Sequence, residues 1–545
     1  MGGNAAEARS IDFSQDRRRV VHGKMFLLAF VGFFIYAMGL SLLTPLNGGP
    51  DETQHEIYGY AVVTGQIPQK SIRVEAPAFL RRGAPDCWRH DPAATAFCSR
   101  IFTTNDELIS QGTSAVNYPP LYYYLTHWPL LLASGKYVLW GIRVLSAGLF
   151  AGLAALGFSS LYAGLRSAAL PYLTIGLLAP GFYSLSGFSN PQSMEIGAAL
   201  ALTGFLLPLL NRVPAREELW RWIGGGLAAI PLICARPVGP YWAILLCLLF
   251  AIIFGRVAVR HYLRTPGFWI FLGLCALGCL AWFGWNYLAS TYGKAPDPVA
   301  NKGAFRMGLQ ILGTMPYYIH ETIGTAGWRN VEPSSPVSLC YVIFFACLLI
   351  AVYRAGARHH RRAVIFGVVV LPFSALLLNT AVADRIPLVM WQGRYWFPFF
   401  FPFLVTCAAA LLQHHELRER TDSARDSRLI PVLSLAGALL FAVTTIDFTV
   451  RMAWRFYVGL RTPVFAVLWT TPPRALLGLL LCVGLSCVVA YLVVRRYRPH
   501  LSALRCAWRE YLHPQTLAAG RAARGGPGEG AVGHRRRGRG HTRKK

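Results

Sequence analysis

The sequence predicts an all-α integral membrane protein with about 12 transmembrane helices, and three observations carry that reading. Apolar runs long enough to cross a bilayer, which takes ~20 residues, recur along the 545-residue chain. Hydrophobic residues make up 54% of it and charged residues only 14%, for a mean hydropathy of +0.40, too little charge for a soluble protein of this size. Loops rich in arginine alternate with loops poor in it, as the positive-inside rule requires.

The first apolar run, residues 25–46, is longer than the hydrophobic part of a cleavable signal and reads as a retained span. The basic clusters around Arg17–Arg19, Arg212–Arg221, Arg256–Arg264, Arg354–Arg362, Arg418–Arg428 and Arg495 onward then set the sidedness. Placing them all in the cytoplasm gives spans near 25–46, 138–164, 168–187, 191–211, 219–236, 238–255, 267–289, 336–354, 363–382, 395–413, 429–448 and 473–495. Both termini fall inside, and the Pro237-Val238-Gly239-Pro240 break divides the fifth span from the sixth. The organisation expected is a cytoplasmic segment over 1–24, a polytopic domain over 25–495 and a tail over 496–545. Large outer loops fall at 47–137 and 290–335, and a shorter one, 449–472, carries the interfacial aromatics Trp454, Tyr457 and Trp469.

The formal charge of +28 suggests a nucleic-acid binder only until its distribution is examined. Fourteen Lys and Arg follow residue 494 against Glu510 and Glu529, and most of the remaining excess sits in short loops between spans. That is a cytosolic tail facing anionic lipid, with a Gly- and Arg-rich end (521–545) that reads as disordered, and no nucleic-acid partner is expected. Ten of the twelve cysteines lie in or near spans or the tail, where cysteine serves as a small apolar residue. Cys87 and Cys98 share the first outer loop, where a disulfide fits an oxidising compartment and a zinc pair lacks flanking ligands.

Ionisable residues within the expected spans are few: Arg143, Glu195, Arg236, Arg394, Asp447 and Arg474, with Asp384 just beyond one. All fall near outer helix ends. Snorkelling to headgroups accounts adequately for Arg236 and Arg474, but poorly for acids. Immediately after the first span comes Pro50-Asp51-Glu52-Thr53-Gln54-His55. Carboxylates beside hydrocarbon are costly, so their default reading is functional; the competing reading is a helix cap formed by Asp51 and Glu52. Further along, Tyr118-Pro119-Pro120-Leu121-Tyr122-Tyr123-Tyr124 leads into an apolar stretch with Trp128, too short to span, that lies along the membrane surface or dips into it. Trp391-Gln392-Gly393-Arg394-Tyr395-Trp396 opens the tenth span, its arginine suited to bidentate phosphate binding or to anchoring an aromatic belt. Gly324-Thr325-Ala326-Gly327-Trp328-Arg329 marks a turn in the second outer loop.

In this order, Pro50 to His55, Tyr118 to Tyr122, Gly327-Trp328 and Gln392-Gly393-Arg394-Tyr395 resemble a bacterial family of polytopic membrane proteins of unknown function, placed near the GT-C glycosyltransferases. The likeness covers roughly 25–495. It implies a GT-C-like fold with a long first extracytoplasmic loop, in the bacterial cytoplasmic (inner) membrane. It also implies an enzyme that moves a sugar, hexose or pentose, from a polyprenyl-phosphate carrier to an extracytoplasmic glycan, lipid or protein. By carry-over Asp51 is the first candidate for catalytic base and Glu52 the second. His55, Arg394, Gln392, Tyr395, Tyr118, Tyr122, Trp328 and Glu195 are the candidate substrate-binding residues. No cofactor is assigned with certainty; Asp51 and Glu52 leave room for a divalent cation such as Mg or Mn, and metal dependence stays open. The loop Ser189-Asn190-Pro191-Gln192-Ser193 departs from the pattern, since relatives often carry an acid there and here Glu195 is the nearest. A transporter or flippase for a lipid-linked glycan is the rival from another class; the lack of midplane charge and of an inverted repeat counts against it. A non-catalytic scaffold of an envelope-assembly complex is the third reading.

Overall fold

The computed structural model describes residues 3–66, 73–82, 87–91, 93–100, 106–165, 167, 169–211, 213–289, 304–380, 391–419 and 429–512. Asp384, most of the Gly- and Arg-rich tail and part of the second outer loop therefore lie outside the described residues. The chain divides into two units, 1–494 and 495–545, and the candidate site lies wholly within the first.

Ten helices among the described residues are long and apolar enough to cross a membrane. In chain order the main helices are α1 (Gly3–Leu43), α2 (Glu52–Val63), α3 (Lys136–Leu165), α4 (Leu170–Leu177), α5 (Pro180–Tyr183) and α6 (Gln192–Leu206). Then come α7 (Ala215–Ile233), α8 (Gly239–Tyr262), α9 (Pro266–Ala289), α10 (Ala304–Ile323) and α11 (Ser335–Ala355). The last are α12 (Arg358–Thr380), α13 (Phe397–Glu419), α14 (Leu429–Ala453) and α15 (Pro473–Leu512).

Eleven of the twelve expected spans coincide with a helix, the span expected at 168–187 does not, and two of the twelve explain why only ten helices meet the criteria. The span expected at 168–187 is broken into α4 and α5 around Leu178 and Ala179. Residues 177–190 are all buried, so the broken backbone is surrounded by protein, the condition under which irregular structure is tolerated at membrane depth. The span expected at 219–236 begins four residues earlier, as α7, with Arg216, Glu217, Glu218 and Arg221 in its opening turns. Arg221 is buried and bonds Glu217 at 2.8 Å. The first outer loop departs from an all-helical reading by one antiparallel pair, β1 (Arg73–Pro77) with β2 (Leu108–Gly112).

Close helix contact at the centre of the bundle rests on small residues. A Cβ on Gly204 of α6 would stand 1.9 Å from the carbonyl oxygen of Gly157 on α3, and one on Gly157 would stand 2.3 Å from that of Leu200. Such approach replaces the hydrophobic drive that lipid does not supply between helices. Above the bundle, α2 seats Ile57 and Ala61 on Val74, Phe79, Leu80, Leu130, Leu139 and Ile142, so the first loop has a core of its own. Just beyond, Tyr124, Leu125, Trp128, Leu131 and Leu132 are exposed, which suits a segment lying against the membrane surface.

The second clamp on this loop is covalent and ionic. Cys87 and Cys98 are disulfide-bonded. Arg455 donates to the carbonyl oxygens of Trp88, Asp91 and Ala94, and the Trp88 ring meets Phe456 edge-on at 5.5 Å.

Gly204→Leu should therefore lower the midpoint of thermal unfolding in detergent, at a cost of about 1–3 kcal/mol or more for overpacking. Gly148→Leu, on the same α3 but with nothing within 4 Å of its added Cβ, should leave it nearly unchanged. Equal effects would show that the α3–α6 crossing does not depend on the bare backbone contact.

Candidate active site at one face of the bundle

The ionisable residues singled out within the spans gather at one face, because each sits at the helix end that reaches it. Arg143 lies near the start of α3, Glu195 in the first turn of α6, and Arg236 in the turn from α7 to α8. Arg394 precedes α13, and Arg474 opens α15. Asp447 lies near the end of α14, where it accepts from the backbone N–H of Ser334 at 2.6 Å.

Asp51 and Glu52, adjacent in sequence, have different surroundings. Glu52 is fully buried and meets Arg143 through two parallel bonds, Nε to Oε1 and Nη2 to Oε2, each 2.7 Å. The other Arg143 donors reach the carbonyl oxygens of Ser41, Thr44 and Pro45 at 2.7–3.0 Å. All five guanidinium N–H groups are thus spent, three of them on carbonyls at and just past the end of α1. Glu52 also accepts from the backbone N–H of Gly49 at 3.1 Å and of Ser189 at 3.4 Å. Its role in this geometry is to hold α1, α2 and α3 together.

Asp51 stands at the N-cap position of α2 but makes no side-chain cap bond. Its backbone is left-handed (φ 59°, ψ 12°), a region that Asp tolerates better than most residues. This turns the carboxylate out of the helix and across to Arg394, whose Nη2 donates to Oδ2 at 2.8 Å. The Asp51 side chain keeps 40% of its exposure, against 5% for Arg394. Burial pushes the carboxyl upward, but the Arg394 guanidinium, with Arg236 behind it, outweighs burial and holds Asp51 below its ordinary value. Asp51 is therefore ionised and partly open.

Around this pair the site is built from distant segments. Arg394 Nε donates to Gln392 Oε1 at 2.6 Å, and its carbonyl accepts from Gln192 Nε2 at 2.5 Å. Arg236 is buried, not snorkelling to headgroups: its guanidinium lies 4.9 Å from the centre of the Tyr395 ring and 5.9 Å from that of Tyr118. Its Nη1 meets Glu195 Oε2 at 3.3 Å. His55 shares a 2.8 Å hydrogen bond between Nδ1 and the Tyr123 hydroxyl, and its ring meets Tyr118 edge-on at 5.1 Å. Burial lowers its pKa to about 3 despite Asp51, so the imidazole is neutral. Tyr122 is a scaffold residue, bonded to Ser146 at 2.6 Å and accepting from the Asn190 N–H at 2.9 Å. Trp328 faces the disulfide loop, with the Arg89 guanidinium 5.0 Å from its ring centre.

Glu321, on α10 within the expected second loop, is a residue that sequence reading missed. It is fully buried, takes Arg329 Nε on Oε1 at 2.6 Å and takes the Gly393 N–H on Oε2 at 2.7 Å. A Cβ at Gly393 would stand 2.3 Å from the Tyr318 carbonyl oxygen, so glycine lets this turn press against α10 and aim Arg394. Only the pairing itself reveals Glu321; a lone acid on an amphipathic helix gives no signal. Arg143 and Arg236 did give one, as ionisable residues at helix ends.

The donor set does not fit a divalent cation at Asp51 and Glu52. Glu52 is turned onto Arg143, and among the described residues no three His, Cys, Asp or Glu converge as metal ligands.

The family model described as "Predicted membrane protein (DUF2142)" matches residues 33–407, more than half of the chain. No curated protein matches it. Among solved structures, that of ArnT from Cupriavidus metallidurans bound to undecaprenyl phosphate is similar at 15% identity and a TM-score of 0.39, covering 86% of this chain and 76% of that one.

The contrast between the neighbouring acids is directly measurable. Glu52→Gln and Arg143→Ala each leave a buried partner uncompensated, a loss of about 3–5 kcal/mol, and should sharply lower thermal stability and membrane abundance. Asp51→Asn keeps the side chain's shape and an acceptor oxygen for Arg394, and its carboxylate is 40% exposed, so it should cost less than either and melt closer to wild type. If Asp51→Asn is as damaging as Glu52→Gln, Asp51 belongs to the scaffold.

Proposed function

The chain belongs to the DUF2142 family of predicted membrane proteins, and on that premise we propose that it is a membrane glycosyltransferase. It would transfer a sugar from a polyprenyl-phosphate carrier to an extracytoplasmic glycan, lipid or protein, in a bacterial inner membrane with both termini in the cytoplasm. The observation that carries this reading is Asp51. An ionised carboxylate is held out of its cap position by a left-handed backbone, partly open, and paired with an arginine that a phosphate can claim. The identity of the carrier comes from the sequence resemblance and not from this geometry.

The acceptor hydroxyl attacks the anomeric carbon, the bond from that carbon to the phosphate oxygen breaks, and the bonding pair leaves with the lipid phosphate. The proton of the hydroxyl passes to Asp51, because a neutral hydroxyl is too weak a nucleophile without a base. Arg394 meets the charge that grows on the phosphate, with Arg236 beside it as a second fixed cation; cations already in place lower the barrier without reorganising. Arg394 also couples the two events. When it turns to phosphate it leaves Asp51, whose proton affinity then rises as the transfer begins. Neutral His55 orients this corner through Tyr123 and Tyr118.

Asp51→Asn at equal membrane abundance should reduce transfer by about a hundredfold to ten-thousandfold, read as loss of an envelope glycan mass that wild type restores to a deletion strain. Equal restoration by both would remove the base and favour the flippase reading. The pH profile gives an independent check. Asp51 is depressed and His55 titrates at about 3, so both keep their charge state as pH falls to about 5. kcat/KM should be flat from about pH 5 to about pH 8; an acid limb near the ordinary histidine value would sink the assignment.

A further inference from the structure

Where α10 ends and α11 begins, an open cavity of about 500 Å³ is lined by Tyr317, His320, Arg329, Asn330, Glu332 and Arg451, among others. The volume is that of a small-molecule site, but the wall lacks the apolar lining usual in such sites. Its charges are paired among themselves. Arg329 bonds Glu321 at 2.6 Å, and Arg451 bonds Asp447 at 3.0 Å. The Tyr317 hydroxyl donates to Glu332 at 2.7 Å, while His320 lies 3.2 Å from the other oxygen of that carboxylate. Both guanidinium groups stay partly open, with side-chain exposures of 35% and 40%, and that of Arg329 lies 5.5 Å from the Tyr317 ring centre.

A wall of this kind selects by elimination. It offers too little apolar surface for a lipid chain. Its two guanidinium groups face three carboxylates, Glu321, Asp447 and Glu332, so the balance of formal charge at this wall is against an anion. What it presents is a dense array of oriented donors and acceptors beside an aromatic ring, which matches a group carrying many hydroxyls. The cavity is also tied to Asp51 by a short polar path. Arg329 in its wall holds Glu321, Glu321 holds the N–H of Gly393, and the next residue, Arg394, holds Asp51.

We propose that this cavity binds a neutral saccharide, the hydroxyl-bearing end of the acceptor. The word acceptor rests on the transferase reading above; saccharide binding does not. Arg329 in the wall and Gly393 beside Arg394 bond the same carboxylate, Glu321, which links the cavity wall to the segment that holds Asp51.

The test is saturation-transfer NMR on the full-length protein in nanodiscs. The probes are the methyl glycosides of glucose, galactose, mannose and N-acetylglucosamine, together with maltose, and inorganic phosphate is the competitor. At least one glycoside should bind wild type. Its affinity should fall about tenfold or more when hydrogen bonds to the charged Glu332 are lost in Tyr317→Phe/Glu332→Gln, or in Tyr317→Phe alone if the double variant does not fold. Phosphate should not displace the glycoside. No binding by any glycoside, binding indifferent to the cavity variants, or displacement by phosphate would overturn the proposal. Because Asp51→Asn reports separately on transfer, the two readings fail independently: glycoside binding with normal transfer in Asp51→Asn removes the base and leaves the cavity.

Discussion

The geometry of this site depends on one buried ion pair. Arg143 joins the end of α1, the start of α2 and the body of α3, using every donor it has. A guanidinium in a dry environment is costly unless its whole hydrogen-bonding capacity is met, and here it is met by three carbonyls and one carboxylate. Those carbonyls belong to the last turn of α1 and the two residues that follow it, Ser41, Thr44 and Pro45. The pair therefore ties these segments together, and in doing so it fixes the turn at 44–51 that presents Asp51.

From that turn onward, the chemistry follows from what each carboxylate is allowed to touch. Glu52 faces inward and is consumed by structure. Asp51, one residue earlier, is carried outward by its left-handed backbone and meets a cation from the far end of the chain. A cap would have satisfied the first N–H groups of α2 locally; instead the backbone N–H of Glu52 turns to the Gly49 carbonyl at 3.3 Å. A residue placed to cap that does not cap is a stronger sign of function than its residue type alone.

Much of the fold was legible because a bilayer imposes a one-dimensional constraint. Long apolar stretches and arginine-rich loops are read directly along the chain, and all but one of the expected spans coincide with a helix. The broken α4–α5 segment was not legible, since its residues are as apolar as those of an intact span and only burial by neighbours permits the break. Of the site, the sequence showed which residues are ionisable at helix ends, but not their division of labour. Asp51 and Glu52 looked alike as neighbours. Arg236 looked like a snorkelling residue, because the aromatic rings and the carboxylate that enclose it come from positions 118, 195 and 395. Pairing across helices is a property of the fold, and no local pattern encodes it.

The same point explains why the site is made of such widely spaced parts. Asp51, Tyr118, Glu195, Arg236, Glu321 and Arg394 come from six segments, each entering at the face where its helix ends. Helix ends supply irregular backbone, and irregular backbone supplies unusual directions: the left-handed Asp51, the glycine turn ahead of Arg394, the short connection that carries Arg236. The helices beneath are closely packed, so each of those directions has to be held where it is. Each was therefore given a buried partner of its own, Glu52 to Arg143, Arg236 to Glu195, Gly393 to Glu321. Among the described residues of this centre, the carboxylate that stays open to solvent is Asp51, in its pair with Arg394, and there a phosphate and a hydroxyl can enter and exchange places with the pair.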